Sequence, residues 1–258
     1  ETGMAMTADR KVEIAGRLAE HSHPSARQAA ATLRARCPLS IHVTLAALRR
    51  AAQPFAEQEG GPHGLDHSER VLHTALYLGR TLGADLHILA AAALLHDIGR
   101  SEESASRGAI CHARRGAELA RPILQELGYE SKATHAICHA INAHRFRGSV
   151  EPETLEARIL FDADKLDSIG AVGIGRAFLF AGQIGARLHN PEQDHSRTSS
   201  YSLEDSAYRE FQVKLSQVKD QMLTESGRRL AQERHDFMLT FFTQLTRETS
   251  GDFMEGAD

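Results

Sequence analysis

A histidine followed at once by an aspartate, His96-Asp97, closes the apolar run from Ile88 to Leu95 just before Gly99. A carboxylate beside an imidazole at the mouth of a buried helix is costly unless a cation compensates it, and a divalent metal would do so. The two residues lie roughly 100° apart around a helix, so both reach one ion only where the last turn loosens. Gly99 is expected to supply that end as a C-cap. Upstream, His63 and His67 are four apart and share one helix face. Arg70 follows one turn on, placed to pair with a carboxylate from a neighbouring element. Two histidines so spaced can both be ligands, or one a ligand and the other a proton carrier, and spacing leaves both open. Downstream, Asp162, Asp164 and Asp167 fall in a largely apolar segment where three carboxylates cannot all be buried unpaired, so at least one must meet a cation. Lys165, next to Asp164, sets an ammonium where it could act on a phosphate oxygen beside a metal. A hydrogen-bonded core histidine or a solvated acidic face would account for any one of these signals, so the weight lies in their combination.

The elements that must position these groups read as helices. Residues 7–57 carry two or three of them, with Pro24 and Pro38 where helices begin. After Gly60-Gly61-Pro62 a helix starts near His63 and buries Val71, Leu72, Ala75, Leu76 and Leu78. Asp85 is the expected N-cap of the helix that ends at His96-Asp97. Arg100 to Ser104 reads as a polar loop reaching the substrate. Cys111-His112 opens the next helix, and residues 130–146 form another, with His139 and His144 towards its end and Arg145 and Arg147 at its exit. Pro152 starts the helix that bears the three aspartates. Gly170, Gly173 and Gly175 are expected at close helix contacts, residues 187–206 as a long loop or lid, and two terminal helices complete the body. No period-2 strand pattern occurs, so the expected fold is all-α.

Bulk properties narrow the classes. The chain has 258 residues, 41% of them hydrophobic, enough for a sizeable core. Thirty Lys and Arg against 34 Asp and Glu give a net charge of −4, which argues against a dedicated nucleic-acid polymer or anionic-membrane binder. Cys37, Cys111 and Cys138 are odd in number and widely spaced, which fits a reducing, cytoplasmic setting better than a disulfide framework. No apolar run is long enough to span a membrane. Glu1-Thr2-Gly3 before Met4 reads as a vector scar, and the rest of residues 1–59 as a helical extension that packs on the body or on another subunit, a homo-oligomer being one outcome.

Together, His67, His96-Asp97 and Asp164 resemble the H…HD…D signature of the HD-domain superfamily of metal-dependent phosphohydrolases, over roughly residues 60–184. The resemblance extends to its YpgQ/YedJ-like bacterial branch through Asp164-Lys165-Leu166-Asp167 with Gly170 and Gly173, and through the tail residues Met222 to Met238. The first motif, His63-Gly64-Leu65-Asp66-His67, lacks the aromatic that relatives carry after the first histidine. The resemblance implies an HD-domain helical bundle over residues 60–250, a single catalytic domain ending in a helical hairpin. It implies one divalent cation held by His67, His96, Asp97 and Asp164. Mixed nitrogen and oxygen donors suit Mn, Fe, Co, Ni or Zn better than Ca, with Mn or Fe favoured.

Asp97, His112, Lys165 and His63 are the implied catalytic residues, with His112 or His63 handling the proton. Arg100, Lys165, His144 and Arg145 are the candidates for binding phosphate. The implied substrate is a small phosphate ester, most simply a nucleoside triphosphate cleaved to monophosphate and pyrophosphate. His112 and His144 also resemble the extra ligands of two-metal HD proteins, and the branch itself looks mononuclear. Two rivals stand beside this reading. One is a di-iron oxygenase acting on an organophosphonate or polyol, which needs a further ligand before the first histidine, Glu57 or Glu59 being nearest. The other is a nucleotide sensor without turnover.

Overall fold

The computed structural model describes residues 41–59, 64–145 and 150–251; His63 and Arg147, and the expected helices before residue 41, lie outside them. Within the described residues every regular element is a helix, with no strand. In chain order the helices are α1 (Ile41–Glu59), α2 (Leu65–Leu82), α3 (Leu86–Leu95), α4 (Arg100–Ala105), α5 (His112–Glu126), α6 (Ser131–Ala143), α7 (Leu155–Leu166), α8 (Gly170–Gln183), α9 (Ala207–Val213) and α10 (Glu225–Ser250). Short 3-10 turns at His195–Arg197 and Leu215–Gln221 interrupt the later connections.

The bundle is built around α3. Its seven residues Leu89 to Leu95 are all at most 1% exposed, as expected of a helix that is apolar on every side. Asp85 caps it, accepting from the backbone N–H groups of His87 and Ile88. Helices α1, α2, α6 and α7 pack around it, and Leu48 and Ala52 of α1 join the same core as Leu72, Ile141 and Leu160. No helix among the described residues is long and apolar enough to cross a membrane.

Several local expectations are corrected. The chain leaves regular helix at His96, but Gly99 is not its left-handed cap: Gly99 sits at φ −91°, ψ 0° and begins α4. Its lack of a side chain serves a close approach instead. A Cβ there would collide with the backbone oxygen of His112 and stand 2.7 Å from the Gly116 nitrogen, so α5 packs directly on this turn. Residues Arg100 to Ser104, expected as a loop, are helical, closed onto α5 by Arg115 and Glu102 at 2.8 Å. Helix α7 starts at Leu155, after Thr154 as its cap, not at Pro152. Gly170 and Gly173 do lie against neighbouring atoms, whereas Gly175 faces open space. The first of the two expected terminal helices is broken at Lys214 into α9 and a 3-10 turn.

Asp162 shows what the acidic run of α7 does for the fold. Fully buried, its carboxylate accepts from the backbone nitrogens of Leu223 and Thr224 and from the Thr224 hydroxyl, at 2.6–2.9 Å. Thr224 in turn caps α10. This aspartate therefore fastens the last helix to the bundle and is not available to a metal. Asp162→Ala is expected to lower unfolding free energy by about 2 kcal/mol through loss of the buried hydrogen bonds that hold Leu223 and Thr224, read as a lower urea midpoint, with the stoichiometry of bound divalent metal unchanged.

Candidate metal centre

Five helix ends converge at one place. His67 comes from the first turn of α2, His96 from the end of α3, His112 from the start of α5, His144 from the end of α6 and Asp164 from the last turn of α7. Three of these ends are C-termini, whose free carbonyls favour a cation at the point they share. His67, His96, His112 and His144 are each at most 3% exposed and Asp97 is 8% exposed.

The donor atoms form two groups hinged on Asp97. In the first, His67 Nε2 stands 3.3 Å from His96 Nε2, 3.4 Å from Asp164 Oδ1 and 3.7 Å from Asp97 Oδ2. His96 Nε2 lies 3.6 Å from the same Asp97 oxygen. In the second, Asp97 Oδ1 lies 3.5 Å from His144 Nε2 and 3.7 Å from His112 Nε2, and those two nitrogens are 3.2 Å apart. The expected ligands His67, His96, Asp97 and Asp164 are thus together, and the two histidines set aside as extra ligands stand beside them.

The far nitrogens of the rings decide what the near ones present. His96 Nδ1 donates to the Ala93 carbonyl and His144 Nδ1 to the Ile141 carbonyl, at 2.8 and 2.6 Å. His67 Nδ1 donates to Asp167 and His112 Nδ1 to Glu103, both at 2.7 Å. A neutral imidazole that donates through Nδ1 offers a lone pair at Nε2. Four such nitrogens therefore face inward as two pairs, each within van der Waals range, an arrangement that repels itself unless a proton or a metal ion lies between. This donor set fits a divalent cation.

The electrostatics express the same demand. Burial opposes the charge of His67, yet Asp164 and Asp167 overcome it and hold the ring protonated up to about 9. Burial pushes His96 down to about 4, and His112 likewise, with Arg100 adding to the effect on His112. Asp97 and Asp164 are buried, but His96 and Arg100 around Asp97, and Lys165 and His67 around Asp164, keep both carboxyls well below the usual range.

A cationic rim surrounds these groups. Lys165 Nζ is 2.8 Å from Asp164 Oδ2, and Arg100 Nε is 3.0 Å from Asp97 Oδ1. Arg145 Nη2 is 3.4 Å from Glu103 Oε1. His139 is not in the group; its Nε2 accepts from the Glu153 backbone. Glu57 is exposed on α1 and bonds to Gln53. Three residues that sequence reasoning did not single out for their roles prove to hold the site in shape. Glu103, read as part of a polar loop, orients His112. Asp167 orients His67 and is clasped by Arg70 Nε at 2.7 Å, the pairing expected of Arg70, and by Arg176 Nη1 at 2.6 Å. Asp167 had a signal in its spacing from Asp164; no spacing links Glu103 to His112 or Arg176 to Asp167.

A helical bundle that gathers histidines and aspartates in the order H…HD…D at one buried point is the architecture of a metal-dependent HD-type hydrolase. The chain belongs to the HD-domain family: residues 64–169 match the HD domain, and Bacillus subtilis YpgQ is 35% identical over 208 residues, 79% of this chain and 93% of YpgQ. A structure of YpgQ in complex with ADP superposes with a TM-score of 0.63 over 81% of this chain and 96% of YpgQ, at 31% identity. An HD-superfamily hydrolase from Bacillus thuringiensis gives 0.64 over 82% and 99%, at 25% identity. Ribonuclease Y of Chloroflexus aurantiacus is 39% identical over 106 residues, 41% of this chain but only 18% of that protein.

Because Asp167 fixes the tautomer and basicity of His67, Asp167→Asn is expected to weaken divalent-metal binding about 10–100-fold, measured by calorimetric titration. An incoming ion must also displace the His67 proton. Apparent affinity should therefore climb by close to about tenfold per pH unit between pH 7 and 9 and level off above.

Proposed function

We propose that the chain is a nucleoside triphosphate pyrophosphohydrolase, releasing a nucleoside monophosphate and pyrophosphate. The observation that carries this reading is the convergence on Asp97 of inward-facing Nε2 and carboxylate donors inside a rim of lysine and arginine. A divalent ion held by His67, His96, Asp97 and Asp164 would polarise a phosphoryl oxygen and acidify a water for in-line attack. Its mixed donors suit a transition metal, Mn or Fe before Co, Ni or Zn.

The other tasks fall to the side chains. Lys165, its ammonium 5.4 Å over the Phe161 ring and 2.8 Å from Asp164, neutralises phosphate oxygens at the edge of the donor set. Arg100 and Arg145 add two further charges on the α4 and α6 side, both aimed by Glu103. His112 has its Nδ1 committed to Glu103 and its Nε2 facing the donor group, which suits a ligand better than a proton carrier; His63 remains a proposal for the proton. The ADP seen on YpgQ supports a nucleotide, and a net charge of −4 favours a small substrate over a polymer. Free thiols at Cys111 and Cys138 suit a reducing cytoplasm.

A second reading concerns the metal count. The two lone pairs of His112 and His144, 3.2 Å apart beside Asp97 Oδ1, favour a second ion there, which His112, His144 and Asp97 would hold. His144 then leaves the substrate-binding set.

A panel of ribo- and deoxyribonucleoside triphosphates with Mn²⁺ tests the proposal by pyrophosphate release. Turnover is expected for the wild type and loss to background for Asp97→Ala and Asp164→Ala, with helicity checked by circular dichroism. Saturable binding without turnover under any metal would make the protein a sensor. Oxygen-dependent product with two irons bound would make it an oxygenase.

A further inference from the structure

A cavity of about 380 Å³ lies between α8, α9 and the 187–206 loop, outside the metal centre. Ser168 lines it directly after Asp167, about one helical turn, roughly 5 Å, beyond Asp164. Arg176 lines it too, with its guanidinium on the Asp167 carboxylate that orients His67. The cavity is thus one side chain removed from a candidate metal ligand, and its size is that of a small-ligand pocket.

Its charges cancel in place. Arg176 is paired to Asp167, Lys214 to Glu210 at 2.6 Å, and Asp205 to Arg209 at 2.6 Å. No charge is left over for phosphate, which the Lys165, Arg100 and Arg145 rim attracts instead. The remaining character is aromatic. Tyr201 meets Phe180 edge to face at 5.6 Å, while 76% of Tyr201 stays open. Tyr201 is also held at φ 61°, a conformation that costs energy for a bulky side chain, and its N–H donates to Asp205 Oδ2 at 2.7 Å. A strained, exposed aromatic at the lip of a charge-neutral cavity suits a flat heteroaromatic ring with polar edges.

We infer that this cavity is the nucleoside subsite of the hydrolase, with the base stacked on Tyr201 and the phosphates running past Ser168 to the metal centre. The inference rests on the nucleotide reading above. Stacking on an aromatic side chain is sequence-tolerant, so the subsite accepts several bases and grips the nucleoside rather than selecting among bases.

The chain contains no tryptophan, so Tyr201→Trp in the full chain creates a lone fluorophore at the subsite. Titration with ADP and Mg²⁺ is expected to quench it saturably, inorganic pyrophosphate is not, and Phe237→Trp on the outer face of α10 serves as the unresponsive control. Tyr201→Ala is expected to raise the KM for nucleoside triphosphate about tenfold, with Tyr201→Phe restoring it. An unquenched Trp with ADP, equal quenching by pyrophosphate, or an unchanged KM in Tyr201→Ala overturns the subsite while leaving hydrolysis standing. A wild type that hydrolyses no nucleotide overturns both.

Discussion

Inward-facing lone pairs and ionised carboxylates gathered in a nearly dry pocket are the constraint to which the remainder of the bundle answers. Like partial charges at 3.2–3.9 Å, removed from water, repel with a strength that solvent no longer damps. The site holds its shape because each ring is pinned from behind, two by carbonyls of their own helices and two by carboxylates. Those carboxylates are braced in turn, Asp167 by Arg70 and Arg176 and Glu103 by Arg145. Cationic support on the outside permits electron-rich donors on the inside, and an ion at the centre completes the balance.

The three aspartates of α7 show how one helix serves three ends. Asp164 faces the donor group, Asp167 stands behind a histidine of α2, and Asp162 points the other way to hold Thr224, the cap of α10. Two residues along a helix turn a side chain through roughly 200°, so Asp162 and Asp164 face nearly opposite neighbours. An alanine at Asp162 would loosen the fold, whereas one at Asp164 would empty the site.

Access to the centre is shaped from two sides. α1 contributes Ala52, Phe55 and Ala56 to a narrow crevice that reaches Asp97, so the segment preceding the HD motif walls the metal centre as well as joining the core. The 187–206 loop, expected as a long loop or lid, supplies Tyr201 to the cavity beside Arg176. The candidate metal donors sit at ends of helices anchored in the core, while Tyr201 sits on less regular chain, a division that keeps the donor geometry fixed and leaves the loop adaptable.

The sequence by itself determined the helical class, the burial of the apolar run in α3 and the Asp85 cap, because these follow from local periodicity and capping chemistry, while the four-residue donor pattern came from its resemblance to the H…HD…D signature. It also pointed to Arg70 as the partner of a distant carboxylate. Local pattern misread Gly99 as a left-handed cap and Arg100 to Ser104 as a loop, since the reason for both lies in the backbone of α5, which reaches this turn only in the folded bundle. Only tertiary structure decided that Asp162 anchors the Thr224 cap, that Glu103 and Arg176 belong to the site, and that His112 and His144 meet at the second oxygen of Asp97. Spacing along the chain is silent on contacts between helices, and a carboxylate has the same sequence signature whether its nearest neighbour in space is a backbone nitrogen, an imidazole or an arginine.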